Sequence, residues 1–365
     1  MTAPADVLFV SNGHGEAAIA ARIAVDVRAL GDVRTEHFAL VGVGLGDAAF
    51  PDVGPRRAMP SGGLVAMGNV RALLRDVRAG LPALLARQIA FLRRARRERR
   101  YAAVVAVGDT YACALAAIAG GALVYVGTAK SVYVAPYGPG ERRVLRLARR
   151  AFVRDAATAR ALQRAGVAAE APGNVIVDLL ASDERVAWRA PWRLALLPGS
   201  RERAYADALR IADVVVALRA RGLDVDAVLS VAPNLVAERF APAIARGSLR
   251  PWNGPLGALL RDATVAIGQS GTANEAAAAE GVPVVALDVH DAPRDAWYRK
   301  RQVGLLGDAL LVVPDDAEAA AAAIAALLLD EPRRARMGAV GRERMGAPGG
   351  ARTIAAVVAG LAVAA

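Results

Sequence analysis

Short apolar runs of six to eight residues recur along the chain, most of them followed by a longer segment with helical spacing, and the pattern is played twice. In the first half the runs are "DVLFVS" (6–11), "HFALVGV" (37–43), "AAVVAVGD" (102–109), "ALVYVG" (122–127) and "RAFVRD" (150–155), with "EAAIAARIAVDVRAL" (16–30) as the first helix. After "PGNVIVDLL" (172–180) the pattern restarts with "WRLALLPG" (192–199), a helix over 202–222, "DAVLSVA" (226–232), "ATVAIGQS" (263–270), a helix over 271–281 and "VPVVALD" (282–288). Strands apolar on both faces belong to parallel sheets covered by helices on both sides. The expectation is an α/β, GT-B-like fold of two Rossmann-like domains, 1–175 and 176–345, whose parallel sheets face a central cleft. Residues 346–365 read as a terminal helix that folds back onto the first domain. A length of 365 residues suits two domains, and with 5% aromatic residues their cores must be built from Ala, Val and Leu.

Charge and cysteine usage narrow the partners. The net charge is +11, almost all of the positive charge is arginine, and the densest blocks are "RRARRERR" (93–100) and "RRVLRLARR" (142–150). Within residues 60–100 apolar side chains recur at helical spacing on an arginine background, which predicts amphipathic helices with a basic face. Such a face is either solvated or set against an anionic membrane surface. Aromatic residues do not interleave with the arginines, so nucleic acid is not expected as a partner. Cys113 is the only cysteine, which excludes an internal disulfide and a cysteine-based zinc site. No N-terminal signal pattern is present, and the apolar stretches 319–329 and 353–365 fall short of a spanning helix. The expected location is therefore cytoplasmic, including the inner face of the cytoplasmic membrane.

Three turns at expected strand ends carry the chemistry. In "SNGHGE" (11–16), Gly13 and Gly15 let the backbone approach a ligand, and His14 stands between them. A dinucleotide site would need an acid near the end of the second strand, where the sequence offers only Glu36 at its start. In "AVGDTYA" (106–112), Asp109 is either a general base aimed into the cleft or the N-cap of the next helix. The third constellation pairs "LLPGSRERA" (196–204) with "GQSGTANEAAAAEGVP" (268–283). Two helix starts converging there would hold a diphosphate through Gly199, Ser200, Gln269, Ser270, Gly271 and Thr272, with Arg201 supplying charge. Glu275, one helical turn further in, is placed to accept hydrogen bonds from a ribose diol. No P-loop and no metal-ligand motif occurs, so no metal and no cofactor besides the donor are expected.

These stretches resemble lipid-A-disaccharide synthase, a GT-B glycosyltransferase with the same Leu-Pro-Gly-Ser-Arg and Ser-Gly-Thr-Ala-x-x-Glu elements. The resemblance runs through "AMGNV", Asp109, "YV" at 125–126 and "PGNVIVD" at the crossover. The opening "SNGHGE" is similar still more to the lipid-A-disaccharide synthase-related family. What the resemblance implies is a metal-independent transfer of a sugar from a UDP-sugar to a lipid or lipid-linked acceptor at the membrane surface. Asp109 or His14 would take the acceptor proton, and Asn12, Gly13, Gly15, Glu16 and Asn174 would line the acceptor side. The first turn departs from the synthase's Gly-Glu-Ala-Ser-Gly-Asp, and residues 289–300 lack its Gly-Tyr-Arg-x-Lys stretch, so lipid A as the particular acceptor does not carry over. Two other readings stay open: a non-hydrolysing UDP-N-acetylglucosamine 2-epimerase and a non-catalytic nucleotide-sugar-binding protein.

Overall fold

The computed structural model describes residues 5–363 apart from residues 43, 58–69, 129, 234 and 293–294. The chain forms two compact units, Met1–Leu179 with Pro348–Ala365, and Leu180–Ala347. The first crossover lies a few residues beyond position 175 because a short helix there still belongs to the first unit.

The first unit contains β1 (Ala5–Ser11), α1 (His14–Leu30), β2 (Val33–Ala39), α2 (Val70–Arg78), α3 (Leu81–Arg97), β3 (Ala103–Gly108) and α4 (Thr110–Ala116). It continues through β4 (Ala122–Gly127), α5 (Pro139–Leu145), β5 (Arg150–Val153), α6 (Ala156–Arg164), β6 (Ala169–Glu170) and α7 (Val175–Asp178). The sheet is parallel throughout, in the order β2-β1-β3-β4-β5-β6. Alternate residues of one strand serve opposite cores. Val7 and Phe9 pack with Ile19 and Ile23 of α1, whereas Leu8 and Val10 pack with Leu92 of α3 and Cys113 of α4. Each such buried aliphatic side chain contributes roughly 1.5–3 kcal/mol. The second strand differs from its expected span of 37–43: it starts at Val33 and ends at Ala39. The ladder with β1 closes at Ser11↔Ala39, where β1 turns away and nothing remains to pair with.

The second unit contains β7 (Trp192–Leu197), α8 (Ala204–Ala220), β8 (Val225–Ser230), α9 (Ala241–Gly247), β9 (Arg250–Trp252) and α10 (Leu256–Leu260). It ends with β10 (Val265–Gly268), α11 (Gly271–Glu280), β11 (Val284–Asp288), α12 (Asp295–Leu306), β12 (Leu310–Pro314), α13 (Ala317–Leu329) and α14 (Glu331–Met345). Its parallel order is β12-β11-β10-β7-β8-β9. The alanine run of α11 is explained by its neighbour α14. A β-carbon on Gly338 would lie 2.3 Å from the Gly281 carbonyl oxygen, and one on Gly341 would lie 2.4 Å from that of Ala278. Only small residues on both helices permit that approach, and the approach fixes where α11 points.

The last helix, α15 (Gly350–Val363), belongs to the first unit and packs Ile354, Ala355 and Val358 into the core that α1 covers. The stretch Glu331–Val363 is long and apolar enough to cross a membrane by length and composition. It is nevertheless two helices parted at residues 346–349, and the 14 residues of α15 reach only about 21 Å, short of a bilayer core of about 30 Å. In the basic region, α3 buries Leu84, Gln88, Leu92 and Ala95 at helical intervals and leaves Arg93, Arg94, Arg96 and Arg97 exposed. Its amphipathicity thus comes from packing on the sheet. The part of the expected 60–100 region up to residue 69 lies outside the described residues.

Candidate functional site

In the second unit, the chain leaves β7 toward β8 on one side, while β10 lies on the other. Where strand order reverses in this way, the loops at the carboxyl ends diverge and leave a crevice. Gly199 follows β7 with φ +118°, a conformation open to glycine, and a β-carbon there would lie 3.6 Å from Ser270 Cβ. The Gln269 amide donates to the Leu197 carbonyl at 3.0 Å, tying the second loop to the first strand. Gly199 and Ser270 thus meet, each at the head of its loop, with Ser200 and Arg201 following the one and Gly271 and Thr272 the other. Arg201 to Arg203 form a turn closed by the Ala204 amide on the Arg201 carbonyl at 2.8 Å, so α8 starts two residues later than expected.

Ser270 is the N-cap of α11, in extended conformation, yet its hydroxyl makes no cap hydrogen bond. The Gly271 amide bonds the Tyr298 hydroxyl, and the Ser270 side chain leaves the other first-turn amides, at the positive end of the helix dipole, uncapped. Glu275 is half-buried in the second turn.

Helix α12 adds what the sequence did not disclose. The Tyr298 hydroxyl lies against Gly271, where a β-carbon would come within 2.4 Å of its oxygen, and Gln302 Nε2 would lie 3.5 Å from the same carbon. Position 271 must therefore be glycine because Tyr298 fills the space. Burial raises the Tyr298 phenol above its ordinary value and Glu275 raises it further, while Arg201, Arg299 and the Gly271 amide oppose. One hydroxyl thus feels both the loop arginine and the helix carboxylate. Arg299 donates through Nη2 to Gln269 Oε1 at 2.7 Å and to the Leu287 carbonyl. Its Nε and Nη1 are buried without a partner among the described residues. Asn274, fully buried, donates to the Gly268 carbonyl and to Gln302 Oε1, each at 3.3 Å, and its oxygen lies 1.9 Å from where a Gly268 β-carbon would be. An ion lattice anchors α12 to α8: Arg203 pairs with Asp295 at 2.6 Å and Asp207 at 3.3 Å, and Arg210 pairs with Asp207 at 3.3 Å and Asp291 at 2.6 Å.

In the first unit the reversal falls between β1 and β3. Gly108 has φ +134°, and a β-carbon on it would lie 2.1 Å from Asn12 Oδ1 and 3.3 Å from Glu16 Cγ. A β-carbon on Gly13 would lie 2.4 Å from Glu16 Oε2. Asn12, Gly13 and Glu16 therefore pack around the end of β3, beside Asp109, and Glu16 Oε1 accepts from Thr128 Oγ1 at 3.4 Å. Gly15 is exposed, with open space in its β-carbon direction. Backbone atoms place His14 as the first residue of α1; its side chain lies outside the described residues. Asp109 caps α4, Oδ1 accepting the Ala112 amide at 3.0 Å. Of the two roles open for it, the cap is realised. Asn174 caps α7 through its Oδ1, its Nδ2 is buried without a partner among the described residues, and it lines a pocket of about 20 Å³ with Thr128 and Arg154. Glu36 is taken up by Arg100 at 2.7 Å and by the Tyr101 hydroxyl at 2.6 Å.

A Ser–His–Asp chain that the sequence did not suggest runs behind this loop. His37 Nε2 lies 2.8 Å from Ser11 Oγ, His37 Nδ1 lies 2.6 Å from Asp52 Oδ1, and Asp52 Oδ2 accepts the Leu45 and Gly46 amides at 2.9 Å each. Ser11 is 1% exposed, and His37 is fully buried and stacked on Phe50. A nucleophile has to reach its electrophile, and this serine is sealed, so the chain is a device that holds β1, β2 and the 44–52 loop together.

Among the described residues no cluster of three or more His, Cys, Asp or Glu side chains is placed to hold a metal ion.

No protein-family model matches the chain, and no curated protein matches it in sequence. Solved structures do match its fold. The spinosyn rhamnosyltransferase complexed with thymidine diphosphate superimposes with TM-score 0.61 at 19% identity, over 96% of this chain and 99% of that one. A UDP-glucosyltransferase from Polygonum tinctorium capable of glucosylating indoxyl gives 0.58 at 14% identity over 100% of both chains. The UDP-GlcNAc 2-epimerase from Neisseria meningitidis, bound to UDP-GlcNAc, gives 0.57 at 13% identity over 99% and 100%. With its two six-stranded parallel sheets the chain has the GT-B-like fold these enzymes share.

Proposed function

We propose that this chain is a UDP-sugar-dependent enzyme, a glycosyltransferase that passes the sugar to a lipid or lipid-linked acceptor without a metal. The observation that carries the reading is the meeting of two glycine-serine turns at the β7/β10 reversal, with Arg201 beside an uncapped helix start and Glu275 one turn behind. That order of groups suits a diphosphate followed by a ribose. The acceptor hydroxyl attacks the anomeric carbon, the bond to the diphosphate breaks, and the charge developing on the diphosphate falls among α11 amides, Ser200, Ser270, Thr272 and Arg201. Asp109 or His14 receives the hydroxyl proton. The resemblance to lipid-A-disaccharide synthase and its related family supports the lipid acceptor. So do the outward arginines of α3 and the exposed Leu74 and Val77 of α2, which suit the inner face of the cytoplasmic membrane.

A second reading is favoured by the epimerases among the structural neighbours: elimination of UDP from a UDP-N-acetylamino sugar and its return after inversion at carbon 2. It requires several acids and bases around one sugar, and Glu16, Asp109 and His14 are the candidates.

Calorimetric titration with UDP, with NAD and ATP as controls, tests the shared premise on wild type and Glu275→Ala. Selective UDP binding that weakens in the variant is the expected result; no UDP binding removes the reading. Incubation with UDP-GlcNAc alone, followed by proton NMR, separates the two: a changed sugar in the absence of acceptor means epimerisation. Flotation with anionic vesicles at low and high salt tests the membrane surface, and no binding at low salt would sink it.

A further inference from the structure

We propose that Tyr298 on α12 is a diphosphate-contacting residue, whose hydroxyl donates its proton to a phosphate oxygen held at the start of α11. The inference rests on the diphosphate reading of this turn and names a contact that the loop motifs do not contain.

Three observations carry it. The hydroxyl is at the mouth of α11, so close to Gly271 that no β-carbon fits between them. Its oxygen accepts the Gly271 amide and feels the positive charge of Arg201 and Arg299, set against the Glu275 carboxylate. With its lone pairs engaged by the Gly271 amide, the phenol keeps its proton as the group it can offer a ligand. Burial and the nearby Glu275 carboxylate keep the phenol protonated, so it is a neutral donor across the physiological range.

The neighbourhood offers an anion several donors. Among the described residues, Nε and Nη1 of Arg299 are buried with no hydrogen-bond partner, an expensive arrangement for a guanidinium. Ser270 leaves the α11 amides uncapped. The ion lattice of Arg203 and Arg210 with Asp207, Asp291 and Asp295 holds α12 against α8, so Tyr298 is presented by a braced helix rather than a free loop. A diphosphate placed at the start of α11 lies within reach of Tyr298 as well as of the Gly199–Arg201 loop.

The test compares wild type with Tyr298→Phe, which keeps the ring in place, using inorganic pyrophosphate, UDP and uridine as probes. Loss of one hydrogen bond to a charged group weakens pyrophosphate and UDP about tenfold. Uridine, which engages no phosphate, binds as before, although the lost Gly271 contact lowers the thermal midpoint; a merely structural hydroxyl would weaken all three probes together. Pyrophosphate binding equal in both proteins overturns the assignment. If wild type binds pyrophosphate but UDP no tighter, the nucleotide reading fails while the Tyr298 assignment is still read on pyrophosphate. If wild type binds neither, both fall.

Discussion

His37 Nδ1 lies 2.6 Å from Asp52 Oδ1 in a site where the imidazole is fully buried. Burial lowers the His37 pKa from its ordinary 6.5, against the pull of Asp52. For Asp52 burial acts upward, but the Gly46 and Leu45 amides and His37 outweigh it, and its pKa falls below the ordinary 3.8. The neutral imidazole therefore carries its proton on Nδ1 toward Asp52 and accepts the Ser11 hydroxyl proton at Nε2.

A pH dependence follows with a definite sign. Below pH 6.5 the unfolded chain protonates His37 while the folded one does not, so stability falls as pH drops through that range. Asp52 adds stability that is present above 3.8 and is lost as pH falls through its lower folded value. Thermal midpoints measured from pH 8 to 4 should decline on acidification. His37→Gln should cost about 1–3 kcal/mol at pH 7.5 through lost buried hydrogen bonds and should flatten the decline between pH 6.5 and 5. An unchanged slope in the variant would show that other groups set it.

Asp109 can be dissected by two substitutions. Asp109→Ala removes the cap on α4 and should lower stability by about 1 kcal/mol, measured by urea denaturation. Asp109→Asn keeps a capping oxygen, so its midpoint should stay within a few tenths of a kcal/mol of wild type. If Asp109 is also the base, the Asn variant loses turnover by 100-fold or more while UDP affinity is retained. Full turnover in the Asn variant would leave the cap as its sole task and shift the base to His14.

Gly341 faces the Ala278 carbonyl oxygen, and a β-carbon at this position would come within 2.4 Å of it. Gly341→Val should force α14 off α11 and destabilise the second unit by about 1–3 kcal/mol or more, read from its unfolding transition. The shifted α11 should also weaken UDP, although residue 341 is remote from the proposed ligand groups. A variant as stable as wild type would mean that the helices separate without cost.

Arg203 joins Asp207 of α8 to Asp295 of α12, and Asp207 is 3% exposed. Arg203→Met leaves Asp207 with Arg210 alone and frees the start of α12. The expected loss is about 1–2 kcal/mol of stability, since Arg210 still compensates the buried carboxylate. UDP affinity should fall in parallel because α12 carries Tyr298 and Arg299. Unaltered affinity would mean that α12 is positioned by its apolar face alone.

The turns that frame the candidate site were readable in advance because their information is local. A glycine-serine pair between an apolar run and a helical stretch can be recognised within a dozen residues. The edge strands were less legible. Ala169–Glu170 and Arg250–Trp252 are too short, and the latter contains a proline, so that they become strands only by lying beside β5 and β8. Asp109 shows the limit from another side, since cap and base need the same residue at the same strand end; the Ala112 contact shows the cap, and the base role is a matter for the Asn variant.

The alternation of apolar runs and helices, hence the two parallel sheets, and the helix starts where an anion could lie all follow from the order of residues alone. Helical and strand periods, turn residues and charge are properties of neighbours along the chain, and those suffice. Which distant side chains close the site was settled only by packing in three dimensions. Tyr298, Arg299 and Gln302 reach Gly271 and Gln269 because α14 sets α11 and an ion lattice sets α12. His37 and Asp52 likewise meet Ser11 through the pairing of β1 with β2 and a loop that returns to them. Those placements are sums of many packing contacts between remote segments, and no short stretch of residues contains them.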